Sequence, residues 1–138
     1  KFDLYGINNI QPIWADSFLK SISNAKMGVN LSRGNPIKYY SSDRITQLIG
    51  NGLLTFIHKD TMYNNFFSEK EVIFYSSLHD LSEKIQKYAR NDSDRKKIAK
   101  NGKKKYMKYF NSTIVADYII NNTFDLKFDK NKFMWSNK

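Results

Sequence analysis

YSSDRITQLIGNGLLTFI, residues 40–57, runs from a polar, arginine-bearing helix start through a glycine-flanked stop into an apolar strand. Ile45, Leu48 and Ile49 recur at the three- and four-residue spacing of one helix face, while Arg44 and Gln47, three apart, share the other side. The Gly50-Asn51-Gly52 turn ends the helix, because glycine adopts the left-handed backbone that many helix C-termini need. Gly52 also allows a ligand to come close to the backbone. A helix start offers unpaired N–H groups and the positive end of the helix dipole. Ser41, Ser42 and Arg44 therefore make a seat for a phosphate or diphosphate.

Outward from this stretch, short apolar runs recur at residues 2–7, 27–31, 53–57 and 72–75, each bounded by Gly, Asn, Ser or Lys. Runs this short and nearly continuous suit strands covered on both faces, and helical patterns lie between them. The expected fold is α/β, a parallel sheet of about four strands flanked by helices, with a helical C-terminal region. A first helix is expected near Pro12, burying Trp14, Phe18 and Ile22. After the last strand Ser77 caps a helix whose first turn holds Asp80, with Leu78, Leu81 and Ile85 as its buried stripe. A break at residues 91–93 opens another helix, with Ile98, Ala99, Gly102, Tyr106 and Tyr109 facing inward. The last helix spans about residues 113–122 and offers Ile114, Val115, Tyr118 and Ile119 for burial. In the tail at 124–138, Phe128, Phe133 and Trp135 either pack locally or meet a further domain.

A chain of 138 residues is enough for one core. It holds no cysteine, which excludes disulfides, thiolate metal sites and cysteine nucleophiles. His58 and His79 lie far apart and read as surface or strand-end residues, not metal ligands. No apolar run approaches the roughly 20 residues that span a bilayer. The net charge of +10 would attract polyanions. Much of it, however, comes from Arg95, Lys96, Lys97, Lys100, Lys103, Lys104, Lys105 and Lys108 on one helix. With Ile98, Gly102, Tyr106 and Tyr109 turned inward, Lys96, Lys97, Lys100, Lys103, Lys104 and Lys108 form an ordinary solvated face. Binding of nucleic acid or an anionic surface is the lesser reading. Glu69 and Glu71 sit in a lysine-rich loop and are expected to be solvated, with no proton-transfer role. The start at Lys1-Phe2-Asp3, within an apolar pattern, is expected of a piece of a longer protein.

Four pieces, in this order and spacing, carry a resemblance over residues 14–120. They are AKMGVNLS at 25–32, the R-x-x-[E]-x-x-x-x-G pattern at 44–52, FFSEKEVIFY at 66–75, and LHDLSEKIQKYARNDSDRKKIAKNGKKKY at 78–106. The segment resembles the C-terminal half of two-domain GT-B glycosyltransferases, specifically the CgeB-like relatives of glycosyltransferase group 1. The resemblance implies a Rossmann-like nucleotide-sugar-binding domain at 1–123 and a tail at 124–138. It implies a bacterial, cytoplasmic enzyme, peripheral at the membrane at most, that moves a hexose-like sugar without a metal or resident cofactor. The donor would be a nucleoside diphosphate sugar, and the partner a missing N-terminal domain carrying the acceptor site and any catalytic base. By the same resemblance, Arg44 and the helix start at Ser41 and Ser42 meet the diphosphate. Gln47 stands near the ribose, where the family has an acid. Asn30, Ser32, Arg33 and Gly34 line the cleft beyond the second apolar run, with Gly52 close to the ligand. An inactive glycosyltransferase-like interaction domain is the remaining alternative, motivated by Gln47.

Overall fold

The computed structural model describes residues 3–6, 8–31, 34–40, 43–129 and 132–136. Helix α1 (Ala15–Asn24) leads to strand β1 (Met27–Asn30), helix α2 (Asp43–Gly50), strands β2 (Leu54–His58) and β3 (Ile73–Tyr75), and then helices α3 (Leu78–Arg90), α4 (Asp92–Tyr109) and α5 (Ser112–Thr123). The three strands pair in parallel in the order β1-β2-β3, with Met27 opposite Leu54 and Phe56 opposite Ile73. Parallel neighbours need a crossover. Helix α2 supplies the first; two short 3₁₀ turns, Lys59–Thr61 and Tyr63–Asn65, lie in the second.

The sheet is covered on both sides, which is why its strands read as continuous apolar runs. Leu54, Phe56, Ile73 and Tyr75 pack with Leu81, Tyr88 and Ala99 from α3 and α4. Ile57 and Val72 pack on the other side with Ile45 and Ile49 of α2 and with Tyr63, Phe66 and Phe67 of the second crossover. Helix α4 presses on that crossover so closely that a Cβ on Gly102 would stand 2.3 Å from the Glu71 carbonyl oxygen. Only glycine fits there. Its cost to helix propensity, about 1 kcal/mol, is outweighed by this approach.

The α/β class is as expected, but the strand expected at residues 2–7 does not form over its described residues 3–6. Gly6 N–H donates to the Ile10 carbonyl at 3.0 Å, and Asn8 and Asn9 take left-handed backbone with φ of 53° and 60°. The chain turns where a strand would have to continue. Trp14 is not core: it precedes α1, stands 70% exposed, and no α1 residue is buried. Leu78 is 79% exposed, since it opens α3 directly after the Ser77 cap; the buried positions fall one turn on, at Leu81 and Tyr88.

Helix α4 keeps Lys96, Lys97, Lys100, Lys103, Lys104 and Lys108 exposed, as its amphipathic pattern predicts. Arg95 differs, being buried in an ion pair with Asp92 at 2.6 Å. Helix α5 buries no residue fully, but the tail closes locally upon it. Phe133 is 1% exposed, its ring 5.0 Å from Tyr118 and 5.4 Å from Phe128. Trp135 stacks toward Phe110 at 5.4 Å.

Candidate functional site

The carboxyl ends of β1, β2 and β3 are Asn30, His58 and Tyr75. In open parallel sheets ligands bind beyond this edge. Alternation along β1 sends Met27 and Val29 into the α3 side of the core, which leaves Gly28 and Asn30 on the α2 side. Gly28 is required by contact: a Cβ there would lie 2.3 Å from Leu48 Cδ2. Helix α2 runs back along β1, so Leu48 covers Gly28 while Arg44 reaches the strand's exit. The Arg44 Nη1 donates to the carbonyl of Leu31, the first residue after β1. The guanidinium is exposed and keeps further N–H donors for a ligand.

Asn30, expected in a loop, is instead the last residue of β1 and is 4% exposed. Among the described residues its buried Oδ1 has no hydrogen-bond partner. Gln47 lies one turn beyond Arg44, half-buried, and its backbone carbonyl accepts from Asn51 Nδ2 at 2.7 Å. Gly34 takes left-handed backbone with φ 73° in open space. Ser32, Arg33, Ser41 and Ser42 lie outside the described residues.

Gly52 is at the other end of α2 and is not brought to Arg44. With φ 81°, its N–H donates to the Ile49 carbonyl and that of Leu53 to the Leu48 carbonyl, each at 3.0 Å. This paired bonding is the Schellman stop, so the turn's glycine serves the helix end. Eight residues of α2 at about 1.5 Å each separate it from the sheet's carboxyl edge.

Tyr39 was not singled out as a site residue by sequence reasoning, yet it anchors the loop between β1 and α2. Its backbone is left-handed at φ 58°, uncommon for a bulky residue. Three contacts hold it: its N–H donates to the Thr61 carbonyl at 2.9 Å, its hydroxyl accepts from Asn65 Nδ2 at 2.6 Å, and its ring meets Phe66 at 5.2 Å. Below it, Tyr39, Ile45, Tyr63, Tyr106, Tyr118 and Trp135 help line an apolar groove of about 360 Å³. These residues are far apart in sequence, so only the final run of aromatics could have hinted at the groove.

At the next strand end, the His58 ring stands edge-on to Tyr75 at 5.1 Å, and its Nδ1 accepts from Asp60 N–H at 3.2 Å. Burial pushes the Tyr75 hydroxyl above its ordinary pKa. Beyond β3, Asp80 accepts from Ser76 N–H at 2.9 Å and pairs with Lys84 at 2.9 Å. The Lys84 ammonium, then the Ser76 amide, hold its carboxyl below the usual range. Glu71 is not simply solvated. It accepts from Ser68 N–H at 2.6 Å and faces Lys105 at 3.4 Å. Burial raises its pKa, but the Ser68 hydrogen bonds and Lys105 outweigh it and the net shift is downward. Among the described residues no cluster of three or more His, Asp or Glu could hold a metal, and no helix is long and apolar enough to cross a membrane.

The arrangement gathers a guanidinium, a strand-end amide and a helix start at one sheet edge, a set of hydrogen-bond donors and acceptors suited to a polar anionic ligand. No curated protein and no solved structure matches the chain. A family model described as glycosyl transferase-like matches residues 1–121, which hold the whole three-stranded sheet, α1 to α4 and nearly all of α5, and the chain belongs to that family.

Proposed function

We propose that residues 1–123 are the donor-binding half of a CgeB-like GT-B glycosyltransferase, taking a nucleoside diphosphate sugar at the carboxyl edge of the sheet. The diphosphate would lie against Arg44 and the start of α2, with Gln47 toward the ribose. The loop running from Asn30 through Ser32, Arg33 and Gly34 would flank the cleft. When the bond from the sugar's anomeric carbon to the diphosphate breaks, negative charge gathers on the departing oxygen. A fixed guanidinium stabilises that charge without reorganising. The acceptor and any general base belong to a separate N-terminal domain, and the enzyme works in the cytoplasm without a metal.

The observation that carries this reading is Arg44. It is the second residue of a crossover helix, and its bond to the Leu31 carbonyl holds its head over the exit of β1. The tether uses one guanidinium nitrogen and leaves the other N–H donors facing the sheet edge, where a diphosphate would meet them. Melting the chain with UDP, GDP, ADP and CDP tests it. At a hundredfold excess over Kd one of them adds about 2.7 kcal/mol, a rise of several degrees. Arg44→Ala removes most of that rise while leaving the free protein's Tm within about a degree or two. A saturating panel without any shift would overturn the proposal.

A further inference from the structure

Asn30 Oδ1 is a second feature of the β1 exit that packing does not explain. Buried acceptors are nearly always paired, because an unpaired one costs about 1–3 kcal/mol. Among the described residues this oxygen has no partner, and its own residue is 4% exposed. Strand alternation puts the side chain on the α2 side, beyond Gly28 and next to the Leu31 carbonyl that takes Arg44. An apolar side chain of the same shape would fill the place without the penalty. An oxygen left unpaired at the end of β1, one residue before the carbonyl that holds Arg44, is suited to a hydrogen that arrives with a ligand.

We infer that Asn30 Oδ1 accepts a hydrogen bond from a neutral hydroxyl of the ligand whose anionic part lies on Arg44, so that Asn30 selects sugar-bearing diphosphates over bare ones. The inference rests on the donor-site reading above and adds the division of labour. Arg44 can only donate and therefore reads charge; the carboxamide oxygen reads the uncharged, hydroxylated part. Because the oxygen is buried in the free protein, the inference requires that ligand binding turn the Asn30 carboxamide toward the sheet edge. The hydroxyl belongs either to the ribose or to the transferred sugar. In both cases Asn30 supplies an acceptor at a site where Gln47 offers no charged one.

The test compares wild type, Asn30→Leu, Asn30→Asp and Arg44→Ala by thermal shift and calorimetry. The probes are inorganic pyrophosphate, UDP and GDP, and UDP-glucose and GDP-mannose. Leucine nearly matches asparagine in shape, and aspartate keeps an acceptor oxygen. Free Asn30→Leu is expected to melt at or above the wild-type temperature. It should keep pyrophosphate affinity within about twofold but bind the nucleoside diphosphate or its sugar at least about fivefold more weakly, a difference of about 1 kcal/mol. Asn30→Asp should retain the hydroxylated ligand. Loss already seen with UDP or GDP assigns the hydroxyl to the ribose; loss confined to the sugar diphosphates assigns it to the sugar. If wild type binds the nucleotides, Arg44→Ala abolishes this, and Asn30→Leu binds every probe normally, the inference falls and the donor-site reading stands. An Asn30→Leu variant that loses pyrophosphate equally, or whose free form melts far lower, also overturns it. If wild type binds no probe at all, both readings fall together.

Discussion

The two ends of α2 differ in what their polar groups do. At the C-terminal end the shown hydrogen bonds all turn inward: Gly52 and Leu53 N–H close the Ile49 and Leu48 carbonyls, and Asn51 donates to the Gln47 carbonyl. At the N-terminal end a charged guanidinium is tethered in the open, and a buried oxygen at the end of β1 is unpaired among the described residues. A helix end that satisfies itself belongs to the fold. One that leaves charged donors open at a sheet edge is where we propose that the ligand binds.

The largest effect should come from breaking the self-satisfied end. Gly52→Val forces a β-branched residue to φ 81° and brings its Cβ to 3.3 Å from Lys103 Cδ. Strain of this kind costs about 1–3 kcal/mol. The variant should unfold at lower denaturant with an unchanged slope, yet bind nucleotide with wild-type affinity at temperatures where it remains folded. Loss of affinity in the folded variant would mean that Gly52 serves the ligand after all, and that the two ends are not separate.

What could be read from the sequence follows the same division. The stop at Gly52, the buried triplet Ile45, Leu48 and Ile49, and the Ser77 cap rest on local rules of spacing and backbone freedom, and each is found where those rules put it. The first expected strand and the burial of Trp14 fail because they needed tertiary partners. An apolar run forms a strand only if a neighbour pairs with it, and among the described residues no strand pairs with residues 3–6. Tyr39 and Arg95 were missed for a related reason. The one depends on Thr61 and Asn65 across the fold, and the other is a cation that burial and Asp92 turn into a core element. Of the candidate site, Arg44's place at the sheet edge was legible from helix phase, while Asn30's burial depended on knowing where β1 ends.

A middle-sized effect sharpens the open end. Asp43 is exposed in the first turn of α2, beside Arg44, where its carboxylate favours the helix dipole but opposes an incoming diphosphate. Asp43→Asn should therefore lower stability slightly, by about 0.3–1 kcal/mol at low salt. At the same time it should tighten nucleoside diphosphate binding by a few-fold, a gain that fades as added salt screens the charge. Calorimetry at low and at physiological ionic strength reads both signs. Weaker binding in the variant would show Asp43 to be a ligand contact and not a competitor.

The smallest effect concerns the other helix that opens at this sheet edge. Helix α3 begins with its own anion: Asp80, held by Ser76 N–H and Lys84, with its amide donating to Ser77 Oγ at 3.1 Å. A helix start already occupied by its own carboxylate has no place for a phosphate, so α3 is the internal control for α2. The Asp80 carboxyl is lowered chiefly by Lys84, so it binds protons more readily in the unfolded chain than in the folded one. Its contribution is therefore complete above the unfolded value of about pH 4 and is lost as pH falls below that toward the folded value. Asp92 and Asp117 are lowered as well, by lysines 96 and 132 first, so the wild-type acid transition alone does not isolate one group. The Tm difference between wild type and Asp80→Asn does. It should be small and constant from neutral pH down to about 5, then shrink below about pH 4, with nucleotide binding unchanged throughout. A difference that grows on acidification would reverse the sign of the Asp80 interaction, and a loss of nucleotide binding would remove the contrast between the two helix starts.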